Sequence, residues 1–210
     1  MQSSFRITVL LILCVLSALS LQAQSTQPDN SGKNSGKQTP VVKPTPNETA
    51  DAKLKFPDVD GWNRDEPYKY PTPDMGYSVN FDSPTNGRVT LYVYNGGFPK
   101  IPNELTGLVK EELEAAKAGL YGAAEQGIYT NLKGSKTETI VLGGPKGKIS
   151  SLYSHFTMAR EGEKVRSDIY LFPYKNNFIK LRVTRPAITD KAMDNSFANL
   201  LYEIDTLFSK

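Results

Sequence analysis

The stretch VRSDIYLFPYKNNFIKLRVT, Val165–Thr184, decides the fold. Two runs of β-branched and aromatic residues flank Pro173, Tyr174, Lys175, Asn176 and Asn177. Asn accepts positive φ and Pro173 is placed to end the first run, so the spacing predicts a β-hairpin. In the second run Ile179, Leu181 and Val183 alternate with Phe178, Lys180, Arg182 and Thr184, giving one apolar and one mixed face. In the first run Ile169 and Leu171 point one way and Tyr170 and Phe172 the other. A strand that is apolar on both sides is expected at the centre of a sheet.

Working outward, the segments on either side supply the rest of a sheet and its helices. Downstream, Met193, Phe197, Leu200, Leu201, Ile204, Leu207 and Phe208 form one apolar stripe on a helix predicted over Thr189–Phe208, capped by Thr189 or Asp190. Upstream, short strands are expected at Ile128–Leu132, Thr137–Leu142 and Lys148–Met158, an antiparallel meander. Before them, a helix is expected over Asn103–Gln126, with Asn103 as cap and Gly127 as stop. Tyr77–Asp82 and Arg88–Tyr94 read as a hairpin, because Asn86-Gly87 is a strong turn signal. The fold class that follows is α+β, with an antiparallel sheet of about seven strands sandwiched between two long helices.

The N-terminal quarter has a different character. Residues 1–23 read as a signal peptide: Arg6 is the positive region, Ile7–Leu16 the apolar run, and Ala18, Ser20 and Ala23 offer small residues for cleavage. The apolar run is shorter than the ~20 residues of a spanning helix; the alternative is an uncleaved membrane anchor. Residues 24–55 are polar and proline-punctuated, and are expected to be a disordered linker. Residues 56–76 form a lead-in whose prolines 57, 67, 71 and 73 oppose a regular helix or inner strand. The α+β domain then spans 77–210. An exported chain, periplasmic or extracellular, is the expectation.

Charge and cysteine content narrow the function classes. The 210-residue chain carries a formal net charge of +3. Arg6 is the only charge in 1–23, and five lysines against three acids give +2 in 24–55, which leaves 56–210 neutral. A neutral domain lacks the positive field that phosphate backbones require, so no nucleic-acid partner is expected. Cys14, the one cysteine, lies in the apolar run, so the mature chain is expected to have no disulfide, thiolate metal site or thiol nucleophile.

Motif candidates are few. Asp58 and Asp60-Gly61 suggest a calcium loop, but its later positions would fall on Asn63 and Lys69. Gly143-Gly144-Pro145-Lys146-Gly147 resembles a phosphate loop in composition, yet Leu142 stands where the first Gly belongs and a strand follows. Glu111, Glu112 and Glu114 are scattered around a helix by their spacing. His155, the only histidine, could be combined with Ser151 or Ser154 and Asp168 as a hydrolytic set, without a supporting local motif. No metal site or other cofactor is expected. The surplus is aromatic. Tyrosine combines large contact area with a polar tip and suits recognition, and Trp62, Tyr68, Tyr70, Tyr92 and Tyr94 are the candidate partner-binding residues.

The order of segments, with Gly76-Tyr77-Ser78-Val79-Asn80-Phe81 ahead of Pro84 and Phe178–Val183 in the last strand, resembles the PsbP-like family over about 70–210. That resemblance implies an α/β/α sandwich with binding or assembly roles, and it transfers no catalytic residue. The long polar linker and the Trp62-bearing lead-in depart from it. The expected function is a non-enzymatic binding or assembly module whose partner is another envelope or extracellular protein. The alternatives are a carrier of a small apolar ligand between sheet and helix, and a hydrolase using His155.

Overall fold

The computed structural model describes residues 54–105 and 107–210. The expected signal peptide and all but the last two residues of the expected linker lie outside them. In chain order the elements are β1 (Asn63–Arg64), β2 (Tyr68–Lys69), β3 (Tyr77–Ser83), β4 (Gly87–Tyr94), α1 (Leu108–Glu125), β5 (Thr130–Gly134), β6 (Glu138–Val141), β7 (Ser150–Arg160), β8 (Glu163–Tyr174), β9 (Asn177–Pro186) and α2 (Lys191–Phe208). The nine strands form one open antiparallel sheet in the order β1-β3-β4-β9-β8-β7-β5, with β2 also on β3 and β6 also on β7. The molecule is therefore α+β, and its sheet has two strands more than expected. Both additions, β1 and β2, are two-residue pieces of the proline-rich lead-in lying along the edge strand β3, where a chain that prolines keep short can still pair.

The central hairpin forms as the sequence predicts, with one correction. Tyr174 pairs with Asn177 across Lys175 (φ 45°) and Asn176 (φ 63°), a two-residue turn with both φ positive. Pro173 does not end the strand; it pairs with Phe178. Ladder alternation turns the Pro173 nitrogen away from β9. On that side the pairing with β7 has already stopped at Leu171, so no hydrogen bond is lost.

Helix boundaries shift for local reasons. α1 begins at Leu108 rather than Asn103, because Gly107 takes φ 46° and ψ −111°, outside the helical region and open chiefly to glycine. Its carbonyl then accepts from Lys110 and Glu111. The chain ahead of it is tied to the hairpin tip, with Ile101 N donating to Asn176 Oδ1 at 2.8 Å. α2 begins at Lys191, where the Asp190 carboxylate accepts from Met193 N at 2.8 Å.

Two apolar clusters result. One joins Phe197, Leu200 and Ile204 of α2 to Val79, Phe81, Val89, Leu91, Ile179, Leu181 and Phe172. The other joins Val109, Leu113 and Leu120 of α1 to Leu152, Phe156, Ile169, Leu171 and Phe178. Along β8 the clusters alternate residue by residue, Tyr170 and Phe172 in the first and Ile169 and Leu171 in the second. This is the central, doubly buried strand that the sequence pattern requires. Leu54, at the end of the expected linker, packs against the first cluster.

No helix among the described residues is long and apolar enough to cross a membrane.

Candidate functional site

Alternation within β3, β4 and β9 sorts their side chains into two sets. Val79, Phe81, Val89, Leu91, Val93, Ile179, Leu181 and Val183 enter the first apolar cluster. The residues between them, Ser78, Asn80, Thr90, Tyr92, Lys180 and Arg182, form the opposite face, and all but Ser78 are half-buried. Helix α1 packs on β8 and β5 and reaches a corner of this face where Tyr94 donates to Glu112. Burial and the adjacent carboxylate push the Tyr94 phenol far above its usual range.

Cross-strand register sets the geometry of this face. Tyr92 stands opposite Lys180 and Thr90 opposite Arg182. The Lys180 ammonium lies 5.2 Å from the Tyr92 ring centre and 4.8 Å from that of Tyr94, within cation–π range. Thr90 donates to Asn80 Oδ1 at 2.9 Å. Arg182 Nε donates to Ser167 Oγ at 2.8 Å, and that buried hydroxyl donates to Val183 O at 2.9 Å.

The candidate residues divide between this face and other places. Tyr92 and Tyr94 belong to it. Tyr70 reaches it, donating to Ser78 Oγ at 3.2 Å. Tyr68 packs edge-on against Tyr70, with ring centres 5.1 Å apart, and is 57 % exposed. Trp62 must be corrected as a contact residue. It is only 6 % exposed, lies in the first apolar cluster, and donates from its indole to Ser196 Oγ at 3.1 Å. Its ring is packed beside Phe197, and a polar tip satisfied by α2 makes it a core side chain.

Lys180, Arg182 and Thr90 were not singled out by sequence reasoning. Their period-two pattern was visible, but their meeting with Tyr92 depends on β4 lying beside β9.

The catalytic candidates are dispersed. Ser154 takes alternate positions with His155 on β7, and so lies on the opposite face. Ser151 shares the His155 face but lies four residues away, roughly 13 Å along a strand, with its hydroxyl engaged by Leu152 O and Leu171 O. His155 is in register opposite Asp168, but its Nδ1 is buried without a hydrogen-bond partner.

Asp168 is instead part of a charge network. It accepts from Tyr153 Oη at 2.8 Å and Arg166 Nε at 2.9 Å, and lies 3.4 Å from Arg185 Nε without hydrogen-bond alignment. Arg185 continues to Asp194 at 3.1 Å. Burial, then the neighbouring Asp168 carboxylate, push the Tyr153 phenol up to about 12. The two aspartates balance the two arginines, so the network joins β7, β8, β9 and α2 without surplus charge.

The other motif candidates also have structural partners. Asp58 pairs with Arg64 at 3.1 Å. Glu114 binds Lys117 at 2.8 Å and Thr137 at 3.1 Å. Among the described residues no group of three or more acidic, histidine or cysteine side chains could hold a metal ion. The glycine-rich loop clasps an anion of its own chain: buried Asp205 of α2 accepts from Lys148 N and Ile149 N at 2.9 and 2.7 Å. A Cβ at Gly147 would stand 1.7 Å from Leu142 O, which explains the glycine there. Beside this loop a groove of ≈ 330 Å³ is lined by Ile140, Val141, Pro145, Phe197, Ala198 and Leu201, among others. No family model matches the chain, and no curated protein matches it.

Proposed function

We propose that this chain is an exported, non-enzymatic binding or assembly module that recognises an envelope or extracellular protein through the open face of β3, β4 and β9. One observation carries the reading: six neighbouring positions of that face hold Ser78, Asn80, Thr90, Tyr92, Lys180 and Arg182, while between them Val79, Phe81, Val89, Leu91, Val93, Ile179, Leu181 and Val183 turn to the apolar core. A sheet face with tyrosine, arginine and short hydrogen-bonding side chains has the composition of recognition surfaces. The signal-like residues 1–23 and the polar linker support export and reach. The resemblance to the PsbP-like sandwich, with a helix on each face, agrees with a binding role, although fold alone never assigns one.

Native mass spectrometry of the protein purified from its own host tests this reading. The expected result is a bound protein that is lost when Thr90→Trp blocks the middle of the face while the melting temperature is kept. A complex indifferent to that substitution overturns it.

The apolar groove between the β6–β7 loop and α2 supports a second reading, a carrier of a small apolar ligand. A small-mass adduct that disappears in Ala198→Trp would favour it.

A further inference from the structure

A second pocket, of ≈ 320 Å³, opens at the start of α2 and is lined by Gly61, Thr85, Asn86, Asp190, Ala192 and Met193, among others. Its size is near the lower end for small-ligand sites, roughly 300–1,000 Å³. Asn86, in the β3–β4 turn, is only 6 % exposed. Its backbone N and its side-chain Nδ2 both donate to Ser83 Oγ, at 3.3 and 3.2 Å. That pair of bonds orients the amide and leaves its oxygen directed away from Ser83. Asn86 Oδ1 is buried without a hydrogen-bond partner among the described residues. Buried amide oxygens are nearly always paired, and an unpaired one is costly. Across the same pocket stands Asp190. Its Oδ1 accepts from Met193 N at 2.8 Å, and its Oδ2 has no partner among the described residues.

We infer that this pocket binds a primary ammonium group on a short alkyl stem, either a free amine or a lysine side chain of a protein partner. The donor and acceptor inventory argues for this chemistry. Asn86 Oδ1 and the Asp190 carboxylate are both acceptors, and one carries a negative charge. No lysine or arginine is among the described residues that line the pocket. A helix N-terminus alone would favour an anion, but here the Asp190 carboxylate already meets it and would repel a second negative group. An ammonium carries three donors and the opposite charge, so it serves both acceptors. Ala192 and Met193 offer apolar wall for the methylenes behind it.

The test is titration of the intact, isotope-labelled protein with n-butylammonium chloride and with n-butanol, read from the amide signals of Asn86, Ala192 and Met193. The expected result is a saturable shift with butylammonium that weakens with added salt and is absent with butanol. Asp190→Asn keeps a capping oxygen for Met193 N and removes the charge. Binding should then fall about tenfold, with the melting temperature kept. Ala192→Leu, which fills the pocket from the helix surface, should abolish it. No shift with butylammonium, an equal response to butanol, or binding untouched by Asp190→Asn overturns the inference. So does calcium or phosphate that moves these signals where butylammonium does not. A peptide with a single lysine that binds more tightly than butylammonium assigns the pocket to a partner's lysine; a peptide shut out where butylammonium binds assigns it to a free amine. The pocket does not rest on the recognition face, so Thr90→Trp should leave butylammonium binding unchanged.

Discussion

Strands β4 and β9 present two faces built from the same backbone and differing in almost everything else. On one, Val89, Leu91, Val93, Ile179, Leu181 and Val183 are buried against α2 and the lead-in. On the other, Thr90, Tyr92, Lys180 and Arg182 remain half-buried and polar. The first face stabilises the domain; the second is held in shape by it and is the surface proposed for recognition. The comparison teaches that core packing and polar surface chemistry can be separated residue by residue along one strand.

The largest effect is expected where the lead-in enters the stabilising face. Trp62→Ala removes a buried ring and an indole hydrogen bond to Ser196, and should cost about 3–5 kcal/mol in denaturant unfolding. A near-neutral result would return Trp62 to the surface and blur the distinction between the faces. Leu181→Ala should cost about 2–5 kcal/mol by the same measurement. Its neighbour Arg182→Gln should stay within about 0.5 kcal/mol. Equal losses at the two positions would break the comparison outright.

A smaller effect is expected at the clasp on α2. Asp205→Ala leaves Lys148 N and Ile149 N without their carboxylate, for a loss on the order of 2–3 kcal/mol. Hydrogen exchange should then accelerate at these two amides before the rest of the sheet responds.

One pH dependence falls on the alkaline side. Burial and Asp168 raise the Tyr153 phenol from 10.0 to about 12. Below the unfolded value both states stay protonated and the shift has no effect on stability. Between the two values the unfolded chain ionises first, so its contribution is lost as pH rises. Comparing alkaline unfolding of wild type and Tyr153→Phe should isolate this loss. Smallest of all, Tyr68→Ala, at a residue 57 % exposed, should change stability by less than about 0.5 kcal/mol and sharpens the contrast with Trp62.

Much of the fold was legible because its signals are local. Period-two patterns located the seven longer strands within a few residues, and Asp190 caps α2 as one of two named candidates. β1 and β2 were not legible: two residues carry no period, and their pairing depends on β3 offering an edge. Trp62 was misread for a related reason. In a proline-rich segment nothing local distinguishes a ring that projects into water from one that folds back onto Ser196 and Phe197. The glycine-rich loop shows the same limit, since its composition suits an anion and only the fold brings Asp205 to it.

By itself the sequence determined the α+β class, the two apolar stripes, and the chemistry carried by each face of each strand, because alternation and helical spacing are written in adjacent residues. Tertiary structure alone decided that β4 lies beside β9, so that Tyr92 meets Lys180 and Thr90 meets Arg182. Strand pairing between distant segments is settled by the packing of the whole core, and a local pattern that fits many partners cannot choose among them.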